Sequence, residues 1–177
     1  MDKFKNLIVL GPLIYAIHHF EEHTIFNFIK WKLQYFHHSA AALSTEAILA
    51  ILTCILVTFA LLHLVKNNRA SAHVILFMLF AIQVINAFYH IFFSFYLNDF
   101  SPGAITSILL YLPVNFLIAQ AAFREGYLKS YFEYGCIAFL GTTTFILFEI
   151  IGPLVIALAI IFSLMYYLYF NKQLSNN

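Results

Sequence analysis

The stretch LSTEAILAILTCILVTFALLHLV, residues Leu43–Val65, indicates the class of fold. Apart from Glu46 it carries no Asp, Glu, Lys or Arg. The hydrocarbon core of a bilayer is crossed by a helix of about 20 mostly apolar residues. Backbone groups in lipid must be hydrogen-bonded within the segment, so such a run is helical. The stretch therefore predicts a transmembrane helix.

Similar apolar runs occupy most of the remaining chain. Polar or turn-forming residues separate them, at 66–69 and at 98–103, and a charge, a glycine and a proline at 149–153 predict a tight hairpin. The sequence thus predicts an all-α fold, a polytopic transmembrane bundle of about six spans. The other five spans are Phe4–Phe28, Ala72–Leu97, Ala104–Phe123, Tyr131–Glu149 and Pro153–Phe170.

Composition supports one membrane domain over residues 1–177. The chain is 63% hydrophobic and 10% charged, whereas soluble domains average roughly 45–50% apolar and roughly 25% charged residues. We expect a multi-pass protein integral to the cell membrane, in contact with membrane lipid. A net charge of +1 without a basic cluster argues against a nucleic-acid partner.

Basic residues predict the orientation, because Lys and Arg favour cytoplasmic loops. With six spans, only Lys30 and Lys32 lie on the outer side, and both termini are cytoplasmic. The basic residues on the cytoplasmic side are Lys3, Lys5, Lys66, Arg69, Arg124, Lys129 and Lys172.

A cluster of histidines and glutamates lies near the end of the first span. Residues three and four apart share a helix face. His18 is therefore predicted to lie on the same face as Glu21 and Glu22, and His19 on the same face as Glu22 and His23. The apolar residues that follow indicate that the cluster is embedded. Four other histidines, each considered by itself, are predicted to lie in loops or at the level of the lipid headgroups: His37, His38, His63 and His73.

Span three carries one polar stripe at spacings of three, four and four. Such a stripe would be costly against lipid, so we expect it to face the bundle interior or a wet cavity. His90 would then lie at the depth of His18. The stripe consists of Gln83, Asn86, His90 and Ser94. Further residues predicted at this cavity or its rim are Tyr111, Asn115, Glu46 and Glu149.

These motifs resemble those of the HXXEE family, small multi-pass membrane proteins named for a His-x-x-Glu-Glu motif. Here that motif is His18-His19-Phe20-Glu21-Glu22. A further family histidine resembles His90, and the family's Tyr-x-Pro-Gly motif resembles residues 100–103, where Phe100 replaces the tyrosine. The resemblance implies a membrane fold but no established reaction.

The leading functional prediction is a membrane-embedded enzyme acting on an apolar small molecule, by one of two chemistries. In the first, His18, Glu22 and His90 bind one divalent metal ion, Zn, Fe or Mn. In the second, no metal takes part and the carboxylates and imidazoles transfer a proton. Glu21, Glu22 and Asn86 are the predicted catalytic residues. A proton relay or transporter, and an accessory membrane protein with a structural polar cluster, are the alternatives.

Overall fold

The computed structural model describes residues 3–36 and 43–175, and within these ranges the chain is helical, without strands. Three helices contain one π-helical turn each, at Glu21–Ile25, Phe80–Val84 and Ser107–Tyr111. The helices are α1 (Phe4–Leu7), α2 (Leu10–Phe20, continued by the first π-turn), α3 (Phe28–Tyr35), α4 (Thr45–Lys66), α5 (Arg69–Tyr96), α6 (Ala104–Arg124), α7 (Tyr131–Ile151) and α8 (Leu154–Ser175).

Five helices in the described part of the chain, α4 to α8, are long and apolar enough to cross a membrane. Many of their apolar residues are not buried inside the bundle. The most apolar windows of α7 and α8 have mean hydropathies of 1.7 and 2.0, yet only 11% and 17% of those windows is buried. Such a surface is expected of helices in contact with lipid.

The predicted breaks between these helices match the structure. Asn67 adopts a left-handed conformation (φ 47°) after α4, and Asn68 and Ser71 form a capping box at the start of α5. The predicted hairpin forms where Gly152 (φ 87°) ends α7 and Pro153 precedes α8. Positive φ is accessible to glycine because it has no Cβ.

The first predicted span, Phe4–Phe28, is not the uninterrupted helix that the sequence suggested. It is interrupted after Leu7 because Pro12 has no N–H to donate to the carbonyl of Ile8. The π-turn then ends at Ile25, and a separate helix, α3, begins at Phe28. Asn27 caps α3 by accepting a hydrogen bond from the backbone N–H of Lys30.

Contacts along α2 give its direction within the bundle. The backbone N–H of Phe4 donates to Glu125, just beyond the end of α6, while Glu21 contacts Thr106 near the start of α6. The segment 4–21 therefore runs antiparallel to α6 along its whole length. It runs parallel to α5, because Gly11 contacts Gln83 and His18 contacts Asn86.

Candidate metal centre and cavity

The structure brings the first-span motif and the span-three stripe together at one point. Oε1 of Glu22 lies 2.9 Å from Nε2 of His90 and 3.4 Å from Nε2 of His18. The histidines are fully buried and Glu22 is 8% exposed. We call His18, Glu22 and His90 the inner triad; each offers one ligand atom, all within 4.8 Å of one another.

Neighbouring polar groups determine which nitrogen of His18 carries its proton. The Asn86 side-chain nitrogen can only donate, and it lies 3.0 Å from His18 Nε2, so Nε2 accepts. The proton is therefore on Nδ1, which lies 2.8 Å from the hydroxyl of Thr106. A histidine held by Nδ1–H in this way carries its lone pair on Nε2, as metal-binding imidazoles do. Here that lone pair accepts from Asn86, so an ion bound to His18 would replace this hydrogen bond.

His90 has the same arrangement. Its Nδ1 lies 2.9 Å from the Ser101 hydroxyl, and Ser101 is held by a backbone hydrogen bond to Ser94. The Nε2 of His90 lies 2.9 Å from Oε1 of Glu22 and has no other hydrogen-bond partner within the described residues. A lone pair facing a carboxylate oxygen at this distance is favourable only with a proton or a cation between them.

The spacing of the inner-triad atoms suits a common ion. Ligands at about 2.0–2.2 Å from a metal, separated by about 90–110°, lie roughly 2.9–3.5 Å apart. The two measured separations from Glu22 Oε1, 2.9 and 3.4 Å, fall in this interval. The residues present thus fit a divalent ion without rearrangement of the carboxylate.

Glu21, the other motif carboxylate, points away from the inner triad. It accepts backbone N–H groups of Gly103 (3.1 Å), Ile105 (3.2 Å) and Thr106 (2.7 Å), so both of its oxygens are engaged at the N-terminus of α6. An anion is stabilised there by the unpaired N–H groups and the helix dipole. Glu21 therefore fixes α6, and with it Thr106, against α2.

Gly103 packs directly against the inner triad. A Cβ on Gly103 would lie 2.8 Å from His18 Cε1, 3.0 Å from Glu22 Cγ and 3.0 Å from His90 Cε1. Its φ of +98° is also one that residues with a side chain rarely adopt. Both the space and the backbone conformation at this position require glycine.

A cavity of about 490 Å³ adjoins the cluster. Glu22 and Asn86 line it, whereas His18 and His90 are fully buried behind them. Its wall is mostly apolar and comes from α2 to α5, α7 and α8, with contributions from Leu52, Ile55, Met78, Ile82, Phe145 and Ile156. Ligand sites are typically pockets of this size with few polar groups.

The predicted rim residues line this cavity. Glu46 lines it at the start of α4, and Glu149 pairs with Lys32 at 2.6 Å. This ion pair joins α3 to α7. A second contact holds the far end of α3, where the Tyr35 hydroxyl donates to Asp99 at 2.7 Å, and this hydrogen bond raises the pKa of Tyr35.

Sequence reasoning missed several residues of the site. Thr106 and Ser101 lie in or after turn-like segments, and no periodic pattern indicated that their hydroxyls would contact His18 and His90. Phe28 of α3 covers the His90 ring at 5.3 Å between centroids. The segment 100–103 was indicated only through the family resemblance.

The predictions for the remaining histidines and for Gln83 of the span-three stripe are confirmed only in part. His63 is fully buried near the end of α4 and bonds Ser71, and His73 is 9% exposed near the start of α5 and bonds Tyr166. Neither lies in a loop, and the alternative position at headgroup level stays a prediction. His37 and His38 lie outside the described residues. Gln83 faces the interior as predicted, bonding Gly11 and Asn115.

A comparison with protein families matches residues 9–118, more than half of the 177 residues, to the family described as "Protein of unknown function with HXXEE motif". The chain belongs to the HXXEE family. Neither the curated proteins nor the solved structures give a match. In this HXXEE protein Phe100 is 43% exposed and packs on Phe26, while Ser101 and Gly103 contact the triad.

Proposed function

We propose that this HXXEE protein is a membrane-embedded enzyme that holds a divalent metal ion at His18, Glu22 and His90 and acts on a lipid-soluble substrate. The single observation that carries the proposal is the convergence of these three side chains beside an apolar cavity whose wall includes Glu22. Buried ionisable groups within apolar helices are costly, and such groups generally serve a functional site.

We also propose six spans with both termini cytoplasmic, in a multi-pass protein of the cell membrane. The segment 4–25, at about 1.5 Å per helical residue, is about 33 Å long, close to the roughly 30 Å of the hydrocarbon core. Its antiparallel course along α6, itself a candidate span, supports a sixth crossing. With six crossings the two ends of the chain lie on the same side.

Two imidazoles and one carboxylate are ligands that suit Zn²⁺, Fe²⁺ or Mn²⁺. Three protein ligands leave coordination positions open, as in catalytic rather than structural sites. A bound ion would polarise an oxygen of the substrate or lower the pKa of a bound water. The hydroxyls of Thr106 and Ser101 would orient the two imidazoles.

The three predicted catalytic residues divide into two roles in this proposal. Glu22 and Asn86 line the cavity and would contact the substrate or a proton in transfer. Glu21 would be a positioning residue, because backbone N–H groups occupy both of its oxygens. The substrate would have an apolar body in the cavity and a polar group beside Glu22.

Elemental analysis of the purified protein tests the metal. We expect wild type to retain Zn, Fe or Mn and Glu22→Gln and His90→Gln to lose it. Glu46→Gln, which alters another carboxylate of the same cavity, is the matched control and should retain it. Equal and negligible metal in all four proteins would refute the metal-dependent function.

Lipid turnover tests the enzyme itself. Incubation with a membrane lipid extract, followed by mass spectrometry, should show a species depleted by wild type and left unchanged by Glu22→Gln. No depletion by metal-loaded wild type would count against an enzyme that acts on membrane lipid.

Metal-free proton transfer is the second candidate function. The 2.9 Å approach of His90 Nε2 to Glu22 Oε1 favours it, since that is also a distance at which one proton is shared. Lipid turnover that persists in wild-type protein stripped of metal, and that Glu22→Gln abolishes, would favour this candidate over the first.

A further inference from the structure

Glu22 divides its two carboxylate oxygens between two sets of histidines. Oε1 faces His18 and His90, whereas Oε2 lies 3.7 Å from Nε2 of His23. His19, Glu22 and His23 form a second group whose ligand atoms lie within 4.8 Å of one another. We call this group the outer triad.

The outer triad differs from the inner one in its access to the cavity. His19, Glu22 and His23 all line it, while His18 and His90 do not. The rings of His19 and His23 lie 4.3 Å apart between centroids, one helical turn from each other. Neither ring makes a hydrogen bond within the described residues.

We propose that Glu22 bridges two metal ions, one in the inner triad and a second held by His19, Glu22 and His23. The inference rests on the proposed function, because the first ion is the one assigned there. Carboxylates bridge paired metals about 3.5–4 Å apart in many hydrolytic sites.

The second ion needs only a local adjustment. Two ligands on opposite sides of an ion, each at about 2.0–2.2 Å, are at most about 4.4 Å apart. Glu22 Oε2 and His23 Nε2, 3.7 Å apart, are already within that limit, and the ligand atoms of the whole outer triad lie within 4.8 Å of one another. The ion at this site has open positions toward the cavity.

The two positions predict different roles. The inner ion is enclosed by His18, His90 and the residues that orient them. The outer ion faces an apolar chamber of about 490 Å³, so it would bind the substrate directly. Its ligand would be an oxygen, carbonyl or phosphoryl, carried at the polar end of a lipid-soluble molecule.

Zn²⁺ counted per chain after reloading the metal-stripped protein tests the inference. We expect two ions in wild type, one in the double variant His19→Gln/His23→Gln, and none in Glu22→Gln. His73→Gln is the matched control, because His73 is 9% exposed and His19 is 8% exposed. It should retain two ions.

The outcomes separate this inference from the proposed function. One ion in both wild type and the double variant would overturn the outer site and leave the inner one. Two ions in both would place the second ion elsewhere and also overturn it. No ion in wild type would overturn both proposals.

Wild type loaded with Mn²⁺ gives a readout that requires no variant to fold. An exchange-coupled electron paramagnetic resonance signal is expected of two bridged ions. The signal of an isolated ion at full loading would contradict the bridge.

Discussion

At the residue scale, Gly103 is the position at which an added side chain would directly contact all three residues of the inner triad. A Cβ there meets His18, Glu22 and His90 at 2.8–3.0 Å, and the backbone has φ +98°. We expect Gly103→Ala to lower stability by about 1–2 kcal/mol for the left-handed conformation and about 1–3 kcal/mol more for overpacking. It should also lose metal, because the ligands are displaced.

Gly126→Ala is the control for this substitution. Gly126 also has a positive φ, +76°, but nothing lies within 4 Å of its added Cβ. Thermal unfolding in detergent should show only the conformational cost, about 1–2 kcal/mol, with full metal retention. Equal stability and equal metal content in the two variants would contradict the packing assigned to Gly103.

Substitutions of the neighbouring residues Glu21 and Glu22 should have different effects. Glu21→Gln removes the charge that accepts three N–H groups, and we expect it to destabilise the protein by about 1–3 kcal/mol while metal content stays near wild type. Glu22→Gln should do the reverse and abolish metal binding. Metal loss in Glu21→Gln with unchanged thermal stability would reverse these assignments.

Much of the cluster was predictable at this scale. The spacing His18 to Glu22 and the stripe through His90 both follow from helical periodicity. The partners Thr106 and Ser101 did not follow, because their positions depend on how a turn folds over another helix. The divergent roles of Glu21 and Glu22 depend on the tertiary position of the α6 N-terminus.

At the element scale, the α2–α5 contact depends on amides as well as on the triad. Gln83 donates to the carbonyl of Gly11 and accepts from Asn115, and it is fully buried. We expect Gln83→Leu to cost about 1–3 kcal/mol, because buried polar partners lose a hydrogen bond.

Gln120→Leu is the matched control, since Gln120 is exposed on α6. An exposed substitution of this kind should change stability by no more than about 0.5 kcal/mol. Thermal unfolding of both variants measures the difference. A Gln83→Leu protein as stable as Gln120→Leu would show that these hydrogen bonds contribute little to the contact.

The bounds of helices α4 to α8 follow closely from the apolar runs and breaker residues. The three π-turns did not, because a π-turn is a one-residue change in hydrogen-bond register that tertiary packing selects. All three carry residues at or near the site: Glu22 in the first, Gln83 in the second, and in the third Tyr111, whose ring lies 4.4 Å from that of His18 between centroids. The sequence did not indicate α3 as a separate helix, because Ile25, Phe26, Phe28, Ile29 and Trp31 extend the apolar character of the first span.

At the scale of the whole molecule, the proposed six-span topology predicts which surface residues share a side. Single cysteines at Lys5, Lys129 and Lys30, all exposed positions, can be introduced after Cys54 and Cys136 are replaced by serine. In sealed vesicles, Lys5→Cys and Lys129→Cys should react with an impermeant thiol reagent from one side and Lys30→Cys from the other. Reaction of Lys5→Cys from the side of Lys30→Cys would rule out a sixth span.

Composition predicted a membrane protein because 63% hydrophobic residues exceed what a chain of this length can bury. The cavity could not be predicted in the same way. It is formed by six helices that contact one another over long sequence separations, and its volume depends on side-chain packing rather than on any local pattern.

The most direct test of the metal centre is an anomalous-difference map from crystals grown with Zn²⁺. We predict a peak within about 2.0–2.2 Å of His18 Nε2, Glu22 Oε1 and His90 Nε2. The absence of a peak at this position, with Glu22 hydrogen-bonded directly to His90, would contradict the account.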